Sequence, residues 1–169
     1  SIAHTGRKYY SLNDPDPLNA NITTNIAPII NNTYKLSLWA KGGDVMIWHV
    51  VNSVYNFITI PAPIKTRSGW NYYEVTMPSN FSGIAAISKR YPFESVFADE
   101  VRLIPSLSQM NTYTFDPLIG MTSETDVNGK TVYYEYDKLN RLTLIKNEDK
   151  DIVKRICYNY ASLVVLCDQ

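Results

Sequence analysis

The feature that most constrains this chain is a self-similar segment in its last third. Tyr113-Thr114-Phe115-Asp116 matches Tyr134-Glu135-Tyr136-Asp137 at an offset of 21 residues, and Thr122/Thr143 and Asp126/Asn147 recur at the same offset. A further aromatic pair, Tyr158-Asn159-Tyr160, opens another unit 24 residues after the second. A short repeat cannot bury an apolar face alone, so such units must pair or stack with neighbours. Each unit reads as strand, turn, strand, turn. Gly120 and Asn140 occupy the first turn of each unit, and both residue types tolerate a left-handed backbone. Asn128-Gly129 is a two-residue hairpin signal. The equivalent turn of the second unit is Asp149-Lys150, which lacks the glycine.

Upstream of Pro105-Ser106 helical periodicity is nearly absent and period-two alternation recurs. Tyr34, Leu36, Leu38 and Ala40 fall on one face of a strand, and Lys35, Ser37, Trp39 and Lys41 on the other. Gly42-Gly43 then predicts a turn, and Val45 to Val51 a strand that pairs back as a hairpin. Val54 to Ile60 forms a further strand stopped by Pro61 and Pro63, because proline cannot donate to a central ladder. Trp70 to Met77, Phe81 to Ser88, Ser95 to Ile104 and Gly6 to Leu12 complete about seven strands, the pattern of an antiparallel sandwich. Residues 13 to 33 read as a long surface loop with one edge strand.

Composition agrees. Thirteen Tyr among 169 residues fit pleated, half-buried surfaces, where the ring packs and the hydroxyl reaches water. Sixteen basic and sixteen acidic residues give a formal net charge of zero. No basic run offers a phosphate-binding surface, so nucleic acid is excluded as a partner. No apolar run approaches the roughly 18–20 residues of a spanning helix, so membrane insertion is not expected. The chain starts at Ser1 without an initiator Met or signal peptide and reads as an excised or mature fragment. Cys157 and Cys167 either close a short disulfide loop or remain two buried thiols.

Phe115-Asp116 through Asp126-Val127-Asn128-Gly129, followed by Tyr134-Glu135-Tyr136-Asp137-Lys138-Leu139-Asn140-Arg141-Leu142-Thr143, resembles the YD repeat of Rhs-type proteins. The match covers roughly residues 110 to 160. It departs from the pattern at Asn140 and Lys150, where Gly is usual, and by one extra residue between Asp116 and Gly120. The resemblance implies a large secreted or cell-surface bacterial protein, in which arrays of such hairpins wrap into a β-shell. It implies structural Tyr and Asp residues and no active site. Two units and part of a third cannot close a shell, so the partners it implies are neighbouring repeats or domains of the parent protein.

The first part is similar to the jelly-roll modules found beside carbohydrate-active enzymes. The stretches that carry this are His4 to Leu12, Tyr34 to Lys41, Gly69 to Val75, and Phe97-Ala98-Asp99-Glu100-Val101-Arg102-Leu103-Ile104-Pro105. In that resemblance the usual first strand would precede Ser1, leaving the sandwich truncated. The fold expected is therefore all-β: a jelly-roll-like antiparallel β-sandwich over 1–106, then YD-repeat β-hairpins over 107–169.

Catalytic chemistry is not expected. His4 and His49 are the two imidazoles, and neither has partners at triad or zinc spacing. Asp99 and Glu100 are adjacent on a strand and so should point to opposite faces, which bars a paired acid and base. No cofactor is expected. The resemblance implies one metal reading, a structural calcium on Asp99, against which Asp99 equally caps a turn or pairs with an Arg. Glycan binding is the alternative function. It needs an exposed aromatic platform, for which Trp39, Trp70, Tyr72 and Trp48 are the candidates, with Trp39 sharing its face with Lys35, Ser37 and Lys41. The opposing reading places these rings in the core.

Overall fold

The structure is a computed structural model that describes residues 4–5, 8–13, 22–23, 32–79, 81, 86–91 and 93–158. All of its regular elements are β-strands, paired antiparallel, and no helix occurs among the described residues. Two units divide the chain, Ser1–Ser108 and Gln109–Gln169.

The first unit contains β1 (Tyr10–Ser11), β2 (Ile22–Thr23), β3 (Tyr34–Lys41), β4 (Val45–Val51), β5 (Val54–Ile58), β6 (Lys65–Arg67), β7 (Trp70–Thr76), β8 (Ala86–Lys89) and β9 (Phe97–Pro105). They form a five-stranded sheet ordered β1-β9-β3-β7-β6 and a four-stranded sheet ordered β2-β8-β4-β5. The alternation read from the sequence sets the packing. Tyr34, Leu36, Leu38 and Ala40 of β3, with Tyr73 and Val75 of β7 and Ala98 of β9, meet Val45 and Ile47 of β4 and Ile87 of β8 in one apolar cluster. Leu12, Met77, Phe81 and Val96 close it from the connecting segments. The result is a β-sandwich held by burial of the two inner faces.

The pairing differs from expectation at Gly42-Gly43. β3 pairs with β7 and β9, whereas β4 pairs with β5 and β8, so the two strands flank a crossover between sheets rather than a hairpin. Gly42 has φ +96° and a β-carbon there would fall on the Ser95 carbonyl oxygen, so the turn makes a crossing that only glycine fits. The hairpins that do form use two-residue turns with positive φ at both positions, Asn52-Ser53 (49° and 64°) between β4 and β5, and Ser68-Gly69 (48° and 77°) between β6 and β7.

The second unit is a five-stranded meander: β10 (Thr112–Asp116), β11 (Gly120–Thr125), β12 (Thr131–Tyr136), β13 (Leu142–Lys146) and β14 (Ile152–Arg155), in that order. Three of its turns are built alike. Asp126, Asp137 and Asn147 each accept two backbone N–H groups on one side-chain oxygen, from residues two and four positions later, at 2.8–3.0 Å. The residue three positions later is left-handed in each: Gly129 at 69°, Asn140 at 59° and Lys150 at 71°. Asn128-Gly129 is therefore not a two-residue turn. Asp126 and Lys130 close a loop of Val127, Asn128 and Gly129, and only the last has positive φ. Such loops end in a left-handed residue, which Gly and Asn fill cheaply and Lys does not.

A second contact ties the repeats together. Tyr136 donates its hydroxyl to the Met121 carbonyl at 2.7 Å, and Tyr158 donates to the Leu142 carbonyl at 3.0 Å. Cys157 is disulfide-bonded, and Cys167 lies outside the described residues.

Candidate functional site

The outer face of the five-stranded sheet carries the chemistry-bearing residues of the first unit. Register sets them in rows. Lys65, Tyr72, Trp39 and Asp99 lie side by side on β6, β7, β3 and β9, and Glu74, Ser37 and Arg102 form the next row. Trp39, Trp70 and Tyr72 make a second, smaller apolar cluster here, with Tyr9 and Phe97 packed against it. His4 covers it: its ring stacks on Trp39 at 3.8 Å and 19°, and stands edge-on to Trp70 at 6.0 Å. The Lys65 ammonium lies 5.3 Å from the Trp39 ring centre and 5.1 Å from that of Tyr72, a cation–π arrangement.

This arrangement corrects the platform expectation. Trp39, Trp70 and Tyr72 do come together, but they are 1 %, 3 % and 6 % exposed, so none offers a free ring face. Burial raises the Tyr72 phenol above its ordinary range. Trp39 Nε1 is buried without a hydrogen-bond partner among the described residues.

Asp99 is not placed for calcium. Its Oδ2 accepts the backbone N–H groups of His4 (2.9 Å) and Thr5 (3.0 Å), and its Oδ1 accepts that of Glu100 (2.8 Å). A cation would face the positive ends of those N–H dipoles, so this carboxylate does not fit one. No group of three or more His, Cys, Asp or Glu among the described residues is placed to hold a metal. Burial outweighs the bonds to Thr5 and Glu100, and the Asp99 carboxyl sits above its ordinary value.

The expectation that Asp99 and Glu100 face opposite ways also fails, for a definable reason. Ser37 pairs with Arg102 and Trp39 with Asp99, so Leu38 opposes both Glu100 and Val101. This is a β-bulge with Glu100 at φ 49°. It keeps both carboxylates on the outer side and returns Val101 and Leu103 to the core. Glu100 then sits between His4 Nδ1 at 3.7 Å and Arg102 Nη2 at 3.8 Å, with all three side chains under a tenth exposed. The sequence did carry a sign of it: the apolar spacing steps from two to three between Ala98 and Val101.

His49 points inward, 5 % exposed, and burial lowers its pKa, which keeps the imidazole neutral at neutral pH. Trp48 faces outward. Its Nε1 donates to Ser88 Oγ at 3.1 Å, and its ring meets Phe57 edge-on at 5.9 Å. Phe57 and Tyr55, which sequence reasoning did not single out, are 61 % and 75 % exposed beside it.

No protein-family profile matches the chain, and no curated protein sequence matches it.

Proposed function

We propose that this chain is a non-catalytic structural and interaction module of a large secreted or cell-surface protein of the Rhs type. One observation supports this most. The second unit repeats a single turn design and a single tyrosine–carbonyl contact along the chain, and the four residues of its last described strand, β14, are all exposed. A meander of this kind gains stability by adding neighbours, which suits a piece of a longer array. The residues that could carry chemistry in the first unit instead pack, bond and anchor one another.

The test is where the parent protein is found. An antibody raised against this chain should label intact cells or the culture medium, on a polypeptide far larger than 19.3 kDa. A 19.3 kDa species confined to the cytosol removes the proposal.

Glycan binding is the second reading, supported by the exposed rings of Tyr55 and Phe57 beside Trp48 rather than by Trp39, Trp70 and Tyr72. Affinity electrophoresis through polysaccharide gels, with Trp48→Ala as the control, decides it: retardation that Trp48→Ala abolishes supports it, and free migration in every gel ends it.

A further inference from the structure

Among the described residues the three sheets present six strand edges, and five carry features that discourage pairing with another chain. β1 and β2 are two residues long. β6 is three residues long and two of them are Lys65 and Arg67. β10 is bulged between Thr114 and Phe115, and β14 ends in Lys154-Arg155. The remaining edge is β5, Val54-Tyr55-Asn56-Phe57-Ile58, and it has none of these. It is uncharged, contains no proline, and runs in unbroken register with β4. Val54, Tyr55 and Phe57 are 60 %, 75 % and 61 % exposed. No described strand pairs with its other side.

We propose that β5 is a pairing edge for a second copy of this chain, joined antiparallel about a two-fold axis at Asn56. The backbone geometry selects this register. Val51 and Val54 close a two-residue turn, so they exchange their hydrogen bonds with each other. Alternate residues Val54, Asn56 and Ile58 therefore turn their N–H and C=O groups toward β4, and Tyr55 and Phe57 turn theirs to the free edge. Centring the pair on Asn56 sets Tyr55 of each copy opposite Phe57 of the other, which satisfies all of these edge groups.

The side chains agree with the backbone. The outward residues form two cross-strand aromatic pairs, Tyr55 with Phe57, continuous with Trp48. On the inner side Val54 meets Ile58 and Asn56 meets Asn56. Because β5 carries no charge, two copies meet without the repulsion that β6 or β14 would impose. The joint is isologous and closes as a dimer, extending the four-stranded sheet across both copies. A five-residue strand pair buries less than the about 1,200 Å² of a stable interface, so association is weak and depends on concentration.

Sedimentation equilibrium of the intact chain over a concentration series tests this, with two variants. Tyr55→Pro removes an N–H that faces only the free edge, so the monomer keeps its ladder while pairing loses two symmetry-related bonds and weakens by about tenfold or more. Asn56→Cys places two thiols across a non-hydrogen-bonded pair with α-carbons about 4.5 Å apart, within disulfide reach. Mild oxidation should join two copies through position 56, and faster than Val54→Cys joins them through position 54. A chain that stays monomeric throughout the series and forms no selective link at position 56 overturns the proposal. So does a dimer that Tyr55→Pro leaves unchanged.

Discussion

Asp99 Oδ2 accepts the backbone N–H of Thr5 at 3.0 Å, a bond that spans 94 residues and fastens the N-terminal segment to the last strand of the sandwich. The same oxygen holds the His4 N–H, and His4 in turn lies flat on Trp39. One carboxylate thus positions the cover of the outer aromatic cluster. Asp99→Ala leaves buried N–H groups without an acceptor and should cost about 3 kcal/mol in chemical denaturation. Asp99→Asn retains an acceptor oxygen and should cost less. Equal unfolding midpoints for wild type and Asp99→Ala would show that the anchor does not matter.

The acid response of two aspartates should run in opposite directions. Burial raises the Asp99 carboxyl above 3.8, so its contribution to stability is fully present below 3.8 and is lost as pH rises through the folded value. Asp137 is lowered, chiefly by the Arg141 guanidinium, which bonds Oδ2 at 2.6 Å. Its contribution is present above 3.8 and is lost as pH falls through the folded value. Denaturation across the acid range should therefore show the wild-type advantage over Asp99→Asn shrinking as pH rises, and that over Asp137→Asn shrinking as pH falls.

Turn chemistry in the repeats gives a reciprocal pair. Gly129 and Lys150 occupy the same left-handed position of equivalent loops, at φ 69° and 71°. A residue with a β-carbon there costs about 1 kcal/mol. Gly129→Ala should destabilise the meander by about that amount, and Lys150→Gly should stabilise it by slightly less, since the Lys150 ammonium also lies over the Tyr133 ring. Thermal unfolding of the two variants would move in opposite directions. A shared sign would mean that the side chains, not the backbone, control these loops.

The tyrosine–carbonyl contacts explain a difference between otherwise matching repeats. Tyr136 bonds the Met121 carbonyl on β11, while its counterpart one repeat earlier is Phe115, on the first strand of the meander, with no earlier described repeat strand beyond it. Tyr136→Phe should cost about 1 kcal/mol, and Tyr158→Phe a similar amount. Phe115→Tyr should change stability little, because it adds a hydroxyl without supplying a carbonyl. A gain from Phe115→Tyr as large as the loss from Tyr136→Phe would contradict this reading.

Much of this architecture was legible because period two is a local property. β3 and β4 match the expected strands residue for residue, and the inner faces follow from their alternation. Pairing was not legible: Gly42-Gly43 reads as a hairpin turn until its non-local contact with Ser95 is known. The candidate site failed at the same level. Alternation set Trp39 on one strand face with Lys35, Ser37 and Lys41 and left platform and core open for Trp70 and Tyr72, and nothing local said that His4 would cover all three. The Glu100 bulge was half visible, as a three-residue step in an otherwise two-residue pattern. β6 escaped notice because three residues are too few for a periodicity, although Ser68-Gly69 marks its turn.

The Gly42-Gly43 crossover supplies the last prediction, since the two glycines should not be equivalent. A β-carbon on Gly42 would collide with the Ser95 carbonyl, and its φ of +96° is strained for any other residue. Neither neighbour can move cheaply, because Val96, next to Ser95, is fully buried and its N–H is held by Asn13 at 3.0 Å. A β-carbon on Gly43 would meet the Glu94 side chain, which can swing aside at the expense of its 3.1 Å bond from the Asp44 N–H. Gly42→Ala should therefore destabilise the sandwich by about 3 kcal/mol, from backbone strain together with displacement of the segment carrying Ser95. Gly43→Ala should cost about 1 kcal/mol, the worth of one exchanged hydrogen bond. Denaturant titrations of the two variants side by side give the comparison. Equal losses would mean that the crossover tolerates a side chain at position 42 and that the chain passes between the sheets by a different path.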